Sequence, residues 1–265
     1  MNPIAFEFGP ITVYWYGVMI GSGIGLALLL AHLESKRRHV NPELILDGAL
    51  YMLPVAFLGA RLYYVAFRWS YYSAHPQHIL SIWRGGLAIH GGILAAMVFF
   101  YIYARKKKLP YLMLLDIVAP GVVLAQSIGR WGNFFNQEAY GAAVSQEFIS
   151  RFPSFIQQGM LIEGAYHHPT FLYESAWNLG VFAILMVVAA RRTRPWGIIA
   201  GLYIGLYSLG RFFIEGLRTD SLMLGPLRVA QVVSLSGVVA AGLILWWIHR
   251  GQGGPETEKK SDAPE

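Results

Sequence analysis

Hydrophobic residues along this chain fall into seven long runs separated by short polar connections. The runs cover Tyr14–Leu33, Gly48–Phe67, Gly86–Ala104, Leu112–Gly129, Phe171–Ala190, Gly197–Phe213 and Val229–Ile248. Each is near the roughly 20 residues a helix needs to cross the hydrocarbon core of a bilayer. The pattern predicts an all-α, polytopic membrane protein with seven transmembrane helices. Pro54 and Pro120 fall inside runs, which membrane helices tolerate when neighbours satisfy the freed backbone groups. The segment Trp131–Pro169 interrupts the series. Rich in Gly, Gln, Phe and Pro, it is too short for an independent domain and long enough for a small external cap, over residues 131–170. Polar residues from Gly251 to Glu265 predict a disordered cytoplasmic tail, which leaves 1–250 as the membrane domain.

Composition agrees with this reading. Of 265 residues, 55% are hydrophobic and 14% charged, and the mean hydropathy is +0.44. A soluble domain is about one quarter charged, so a large soluble core is disfavoured. Cysteine is absent, which excludes disulfides, thiolate metal sites and a cysteine nucleophile of the protein's own. No basic residue precedes Lys36, so no cleavable secretory signal is expected.

The net charge of +6 changes the picture only through its distribution. Alternate connections hold Lys36-Arg37-Arg38, Arg105-Lys106-Lys107-Lys108, Arg191-Arg192 with Arg194, and Arg250 with Lys259 and Lys260. The opposite connections hold the scattered Arg68, Arg84, Arg151, Arg218 and Arg228. Positive loops stay cytoplasmic, so the N-terminus is predicted outside and the C-terminus inside. Topology therefore accounts for the basic strings without nucleic acid.

Charges inside the apolar runs carry the chemistry. The first, third and seventh runs are free of Asp, Glu, Lys and Arg, whereas Arg61, Asp116, Glu174 and Arg211 lie in the others. With the predicted orientation, Tyr16, Arg61, His90, Arg130, Glu174, Arg211, Glu215 and Arg218 all fall near the outer face, and Asp116 alone near the inner one. Ionisable groups at membrane depth are costly and mark functional sites by default. Arg211, Glu215 and Arg218 are spaced to share one helical face. Arg130 and Arg211 have few obvious carboxylate partners and suit a bidentate anion such as phosphate, and a phospholipid headgroup is the anion available there. Glu215 reads either as part of a structural ion network or as a group that positions the arginines.

Other residues carry two readings each. His90, followed by Gly91-Gly92, is either a satisfied hydrogen-bonding residue or a base, and the glycines allow close approach of a helix or ligand. His168, before Pro169, is equally a cap at the start of the fifth helix or a functional group. Asn133 and Asn136 are turn or cap residues whose amides could bind glycerol hydroxyls or lipid carbonyls. Gly129, Gly132 and Gly141 predict a tight external turn. Trp69, Tyr71, Tyr72, Trp83 and Trp131 read as interfacial belt residues. No metal-ligand, nucleophile-elbow or nucleotide-loop motif occurs, so neither metal nor cofactor is expected.

These residues resemble the prolipoprotein diacylglyceryl transferase family over nearly the whole chain, from Tyr14-Trp15-Tyr16-Gly17 onward. The most specific match is Gly129-Arg130-Trp131-Gly132-Asn133-Phe134-Phe135-Asn136-Gln137-Glu138, continuing to Gly141. His90-Gly91-Gly92, His168-Pro169-Thr170-Phe171-Leu172-Tyr173-Glu174, Gly210-Arg211-Phe212-Phe213-Ile214-Glu215 and Arg218-Thr219-Asp220 also fit. The resemblance implies transfer of a diacylglyceryl group from phosphatidylglycerol to the lipobox cysteine of a prolipoprotein, with glycerol phosphate released. It also implies a seven-helix fold with a small extracytoplasmic cap in a bacterial cytoplasmic membrane. On this reading Arg130 and Arg211 hold the phosphate and His90 or Glu138 assists thiol deprotonation. Tyr16 and Asn133 orient the headgroup, Glu215 positions the arginines, and Asn136, Gly141, His168 and Arg218 complete the substrate site. The rival reading is a transporter for an anionic solute. It fits the one-sided placement of charge poorly, because alternating access favours a site near the bilayer midplane.

Overall fold

The computed structural model describes residues 1–9, 11–81, 85–191 and 194–251. The predicted belt residue Trp83, the basic residues Arg84, Arg192, Lys259 and Lys260, and the tail beyond Gly251 lie outside the described residues.

The chain opens with an antiparallel hairpin, β1 (Ile4–Phe8) and β2 (Ile11–Tyr14), and passes directly into α1 (Trp15–Arg37). α2 (Pro42–Phe67) starts where Asn41 caps the Glu43 amide and Pro42 occupies the first turn, a position that needs no backbone donor. Short α3 (Trp69–Ala74) and a 3₁₀ turn (Pro76–His78) lead to α4 (Ile89–Lys107) and α5 (Tyr111–Asn136). After β3 (Ala143–Val144), α6 (Gln146–Ile149), α7 (Ser154–Gly159), β4 (Leu161–Ile162) and β5 (Ala165–His167) come the long helices α8 (Thr170–Ala190) and α9 (Ile198–Glu215). A two-stranded turn, β6 (Met223–Leu224) with β7 (Leu227–Arg228), precedes α10 (Val229–Gly251).

The fold is thus predominantly helical, with short strands that the hydrophobic runs did not announce. Among the described residues, six helices, α1, α2, α5, α8, α9 and α10, are long and apolar enough to cross a membrane. The third predicted run also forms one helix, α4, but it is not among the six. His90, Arg105, Lys106 and Lys107 all lie within its 19 residues and lower its apolar character. Leu29, Phe57, Val98, Val187, Leu243 and Trp247 are exposed on these helices, as expected where lipid rather than water is the solvent.

Two compact units make up the chain: Leu28–Val118, and Met1–Ala27 together with the residues from Ala119 onward. Within the first, α2 packs on α4 through glycines. A Cβ at Gly59 would stand 2.7 Å from the Gly91 carbonyl oxygen, and one at Gly92 3.2 Å from that of Ala56. Helix packing therefore accounts for the glycines after His90. Arg61 is buried at the end of this interface. Its guanidinium donates to the carbonyls of His78 at 2.6 Å and of Ile79, Gly85 and Gly86 at 2.8 Å each, tying the following loop to α2.

In the second unit, α5, α8 and α9 share an apolar core of Ala119, Val123, Val181, Leu185, Ala189 and Ile199. A second cluster, Phe134, Ile149, Ile156, Met160 and Phe171, joins the last turns of α5 to α6, α7 and the start of α8. The sheet β3-β5-β4 closes that subassembly. One sequence expectation fails here. Gly129, Gly132, Asn133 and Asn136 are not in an external turn but in the continuing helix α5. The helix persists because Gly132 admits Tyr16 of α1, whose Cδ2 lies 2.7 Å from where a Cβ would be. The chain reverses only at Gln137 and Ala139, both left-handed at φ 51° and 59°.

Candidate active site

α5, α8 and α9 each bring charge to one end of their shared core. One turn beyond the apolar layer, Ser127 of α5 donates to the Ser175 carbonyl of α8 at 2.8 Å, and Trp131 donates to Ser175 Oγ at 3.2 Å. Next to Ser175 stands Glu174, buried just past the first turn of α8. Its Oε1 lies 2.6 Å from Arg130 Nη2 of α5, and its Oε2 accepts from Arg211 Nη1 of α9 at 3.1 Å. Arg211 Nη2 lies 2.6 Å from Glu215 Oε2, and Arg218 Nε lies 3.9 Å from the same oxygen. Glu174 Oε1 and Glu215 Oε2 have no aligned hydrogen-bond donor despite these short separations. They are charge contacts rather than directed hydrogen bonds.

The expectation that Arg130 and Arg211 lack carboxylate partners is therefore corrected. Glu174 serves both, and Glu215 serves Arg211 as well. The pairing was hidden because Glu174 lies far from either arginine in sequence and meets them only through helix packing. Sequence reasoning noted Glu174 as a charge within an apolar run but gave it no place in the site, which was the available signal.

Arg218 lies just past the end of α9 rather than on it. Two parallel hydrogen bonds, Nε to Asp220 Oδ1 at 2.9 Å and Nη2 to Asp220 Oδ2 at 2.6 Å, fix its guanidinium. Arg218 is partly buried, which opposes its charge, but the Asp220 contacts outweigh burial and raise its pKa above the usual value. The hydrogen bonds from Arg218 in turn hold the Asp220 carboxyl below the usual range. Arg228 donates to the main-chain carbonyls of Glu215 and Arg218 and braces the same turn.

Gly141 and His168 act on this turn through the backbone. Gly141 bridges to Arg218 in antiparallel pairing, Ala142 N donates to Leu217 O at 3.1 Å, and His168 N donates to Ala142 O at 3.0 Å. A Cβ on Gly141 would lie 2.9 Å from the Leu217 carbonyl, so only glycine lets the three segments meet. The His168 ring contacts Tyr173 OH at 3.2 Å and packs edge-on to Phe148, and burial lowers its pKa.

A polar group at the end of α5 extends the arrangement. Asn133 Oδ1 accepts from Arg130 at 3.5 Å, while Asn133 Nδ2 donates to Glu138 Oε1 at 2.7 Å and Asn136 Nδ2 does so at 3.5 Å. Glu138 and Asn136 then face an open cleft of about 730 Å³, whose other walls include Tyr14, Tyr16 and Gly17. Of the predicted residues, Arg130, Arg211, Glu215 and Arg218 form the charged cluster, and Tyr16, Asn133, Asn136 and Glu138 form the group around the cleft. His90 belongs to the other unit, exposed in the first turn of α4 with its ring 6.4 Å from that of Tyr63.

A polar seam of arginines, shared carboxylates and amides at the end of a membrane bundle offers the charge and hydrogen-bonding groups that suit an anionic, hydroxyl-bearing ligand. Comparison with known proteins gives it a family. The family model described as Prolipoprotein diacylglyceryl transferase matches residues 3–248. The chain belongs to that family. A phosphatidylglycerol--prolipoprotein diacylglyceryl transferase of Clostridium novyi (strain NT) is 56% identical over 245 residues, 92% of this chain and 95% of that protein. A relative named phosphatidylglycerol--prolipoprotein diacylglyceryl transferase 1, from Clostridium perfringens (strain 13 / Type A), is 52% identical over 240 residues, 90% of this chain and 91% of its own length. The charged cluster and the cleft residues of this diacylglyceryl transferase family member all lie within the matched span.

Proposed function

We propose that this chain transfers the diacylglyceryl group of phosphatidylglycerol to the cysteine thiol of a prolipoprotein in the bacterial cytoplasmic membrane. The observation that carries the reading is the pair Arg130 and Arg211, drawn from two helices onto one buried carboxylate in a member of this family. The thiol sulfur attacks the glyceryl carbon bonded to phosphate, a C–S bond forms as the C–O bond breaks, and glycerol phosphate leaves. Negative charge grows on the departing phosphate, where fixed guanidinium groups stabilise it. Arg130 and Arg211 hold that phosphate, and Glu174 and Glu215 keep the two cations close in its absence.

Tyr16 and Asn133 orient the headgroup at the cleft, with Asn136 beside them. Gly141, His168 and Arg218 complete the substrate site through the turn they build. The thiol proton goes to His90 or Glu138. A thiol of pKa about 8.5 needs only modest help. His90→Gln separates the two acceptors: if His90 is the base, the variant loses turnover while remaining folded, and near-normal turnover assigns the proton to Glu138.

Residues 1–250 act as one catalytic membrane domain, with 251–265 as its cytoplasmic tail. α4 serves as the seventh span. Its 19 residues at about 1.5 Å each reach about 28 Å, near the ~30 Å hydrocarbon thickness. The basic residues at its end sit at the cytoplasmic surface, which puts the N-terminus and the 131–170 cap outside.

The deciding experiment uses the purified full chain in detergent with phosphatidylglycerol and a peptide carrying a lipobox cysteine, beside a Cys→Ser peptide. Peptide mass and glycerol phosphate release are followed together. A diacylglyceryl mass gain matched by phosphate release, absent from the serine control, is expected. Folded protein that yields neither product would overturn the reading.

A further inference from the structure

The seam between α5 and α8 is built in layers, and one layer is unlike the rest. Arg130 faces Glu174, Ser127 faces Ser175, and below them Val123 and Val181 share the apolar core. Between the serine and valine layers lies Asn178, fully buried, with no hydrogen-bond partner for either Nδ2 or Oδ1 among the described residues. Gln126 of α5 likewise leaves its buried Oε1 without a donor among the described residues. A primary amide in an apolar bundle with all its capacity unused is costly, because its lost hydration is not replaced.

One turn above Asn178 on the same face of α8 is Glu174 Oε1, also buried and without an aligned donor. Residues four apart on a helix are surface neighbours, with Cβ atoms about 5–6 Å apart, near enough for one water molecule to link their side chains. The two side chains offer a donor (Asn178 Nδ2) and two acceptors (Asn178 Oδ1, Glu174 Oε1), within the two to four partners that buried waters take. Resting on the reading of Arg130 and Arg211 as the phosphate-holding pair, we propose that Asn178 is a positioning residue for that pair, acting on Glu174 through an internal water. The donor it supplies orients the carboxylate that both arginines share.

A merely structural Asn178 predicts a different outcome from a positioning one. Leucine fills nearly the same volume, gains apolar burial and displaces the water, while Arg130 still neutralises Glu174 Oε1. Asn178→Leu is therefore expected to keep or raise the melting temperature while kcat falls roughly tenfold, with KM for phosphatidylglycerol within about twofold. Asn178→Asp supplies a pH signature. Its carboxyl, buried beside Glu174, stays protonated and donates like the amide at low pH, then ionises and repels Glu174 as pH rises. Its activity is expected to fall on the alkaline side, where the native enzyme's does not. Native kcat in Asn178→Leu, or a melting temperature that collapses, overturns the proposal. Arg130→Lys measured in parallel keeps the two readings apart. If it is inactive while Asn178→Leu is native-like, the positioning role alone fails, and if both are native-like, the phosphate-holding reading fails with it.

Discussion

Arg61 and Arg211 are both arginines near the ends of apolar helices, and they are held in opposite ways. Arg61 directs its donors to five main-chain carbonyls of one loop and is 5% exposed. Neutral acceptors consume its hydrogen-bonding capacity, so it has nothing left for a ligand. Arg211 and its neighbour Arg130 are instead balanced by buried carboxylates, with 18% and 22% of their side chains exposed. A cation held by side-chain carboxylates rather than by backbone can exchange a contact for an incoming phosphate. Burial of an arginine is therefore uninformative by itself, and the nature of its acceptors separates a staple from a binding site.

Three substitutions sharpen that contrast. Glu174→Gln leaves two guanidinium groups facing each other with half their counter-charge removed. Breaking such a buried pair costs about 3–5 kcal/mol, so thermal unfolding should shift sharply and turnover should be lost with it. If the folded variant retained native kcat, Glu174 would be a staple like the carbonyls around Arg61. Arg130→Lys keeps the charge but loses the planar fork. Its melting temperature should stay near the native value while kcat/KM falls by about 100-fold, some 2.7 kcal/mol of transition-state stabilisation. Arg61→Met is the mirror image, since it leaves several carbonyls short of a donor. It should lower stability by about 1–3 kcal/mol, yet the folded fraction should bind phosphatidylglycerol with an unchanged KM. A raised KM in that variant would erase the distinction between the two arginines.

The same contrast explains what was legible before the structure. Span positions came directly from hydropathy, because a membrane helix must be apolar along its whole length. Arg211 stood out because charge is rare in such runs, and Arg130, Asn133, Glu138 and Glu215 because they crowd just past the ends of two of them. The partners of those charges were hidden. Glu174 meets Arg130 and Arg211 only when α5, α8 and α9 pack, and helix packing leaves no periodic trace of who faces whom. The extension of α5 through Gly132 was likewise illegible, since glycines announce a turn unless a neighbour such as Tyr16 fills the space above them. The short strands of the 131–170 region escaped because two or three residues carry no alternation to read.

The smallest predicted effect tests the edge of the charged cluster. Asp220 is half exposed, and its pairing with Arg218 holds its carboxyl below the usual range. A depressed carboxyl contributes stability above its unfolded pKa of about 3.9 and loses it as pH falls through the lower folded value. An exposed pair of this kind is worth on the order of 0.2–1 kcal/mol. The melting-temperature difference between native protein and Asp220→Asn should thus be constant from neutrality to about pH 5 and close below about pH 4. His168 supplies a separate window. Burial lowers its pKa, so the unfolded chain takes up a proton that the folded one refuses, and its contribution drains as pH falls below about 6.5. His168→Gln should remove that higher step and leave the Asp220 step intact. Merging of the two steps in either variant would mean that Asp220 and His168 titrate as one network through the Gly141–Arg218 bridge, and that Arg218 belongs with the structural arginine rather than with the site.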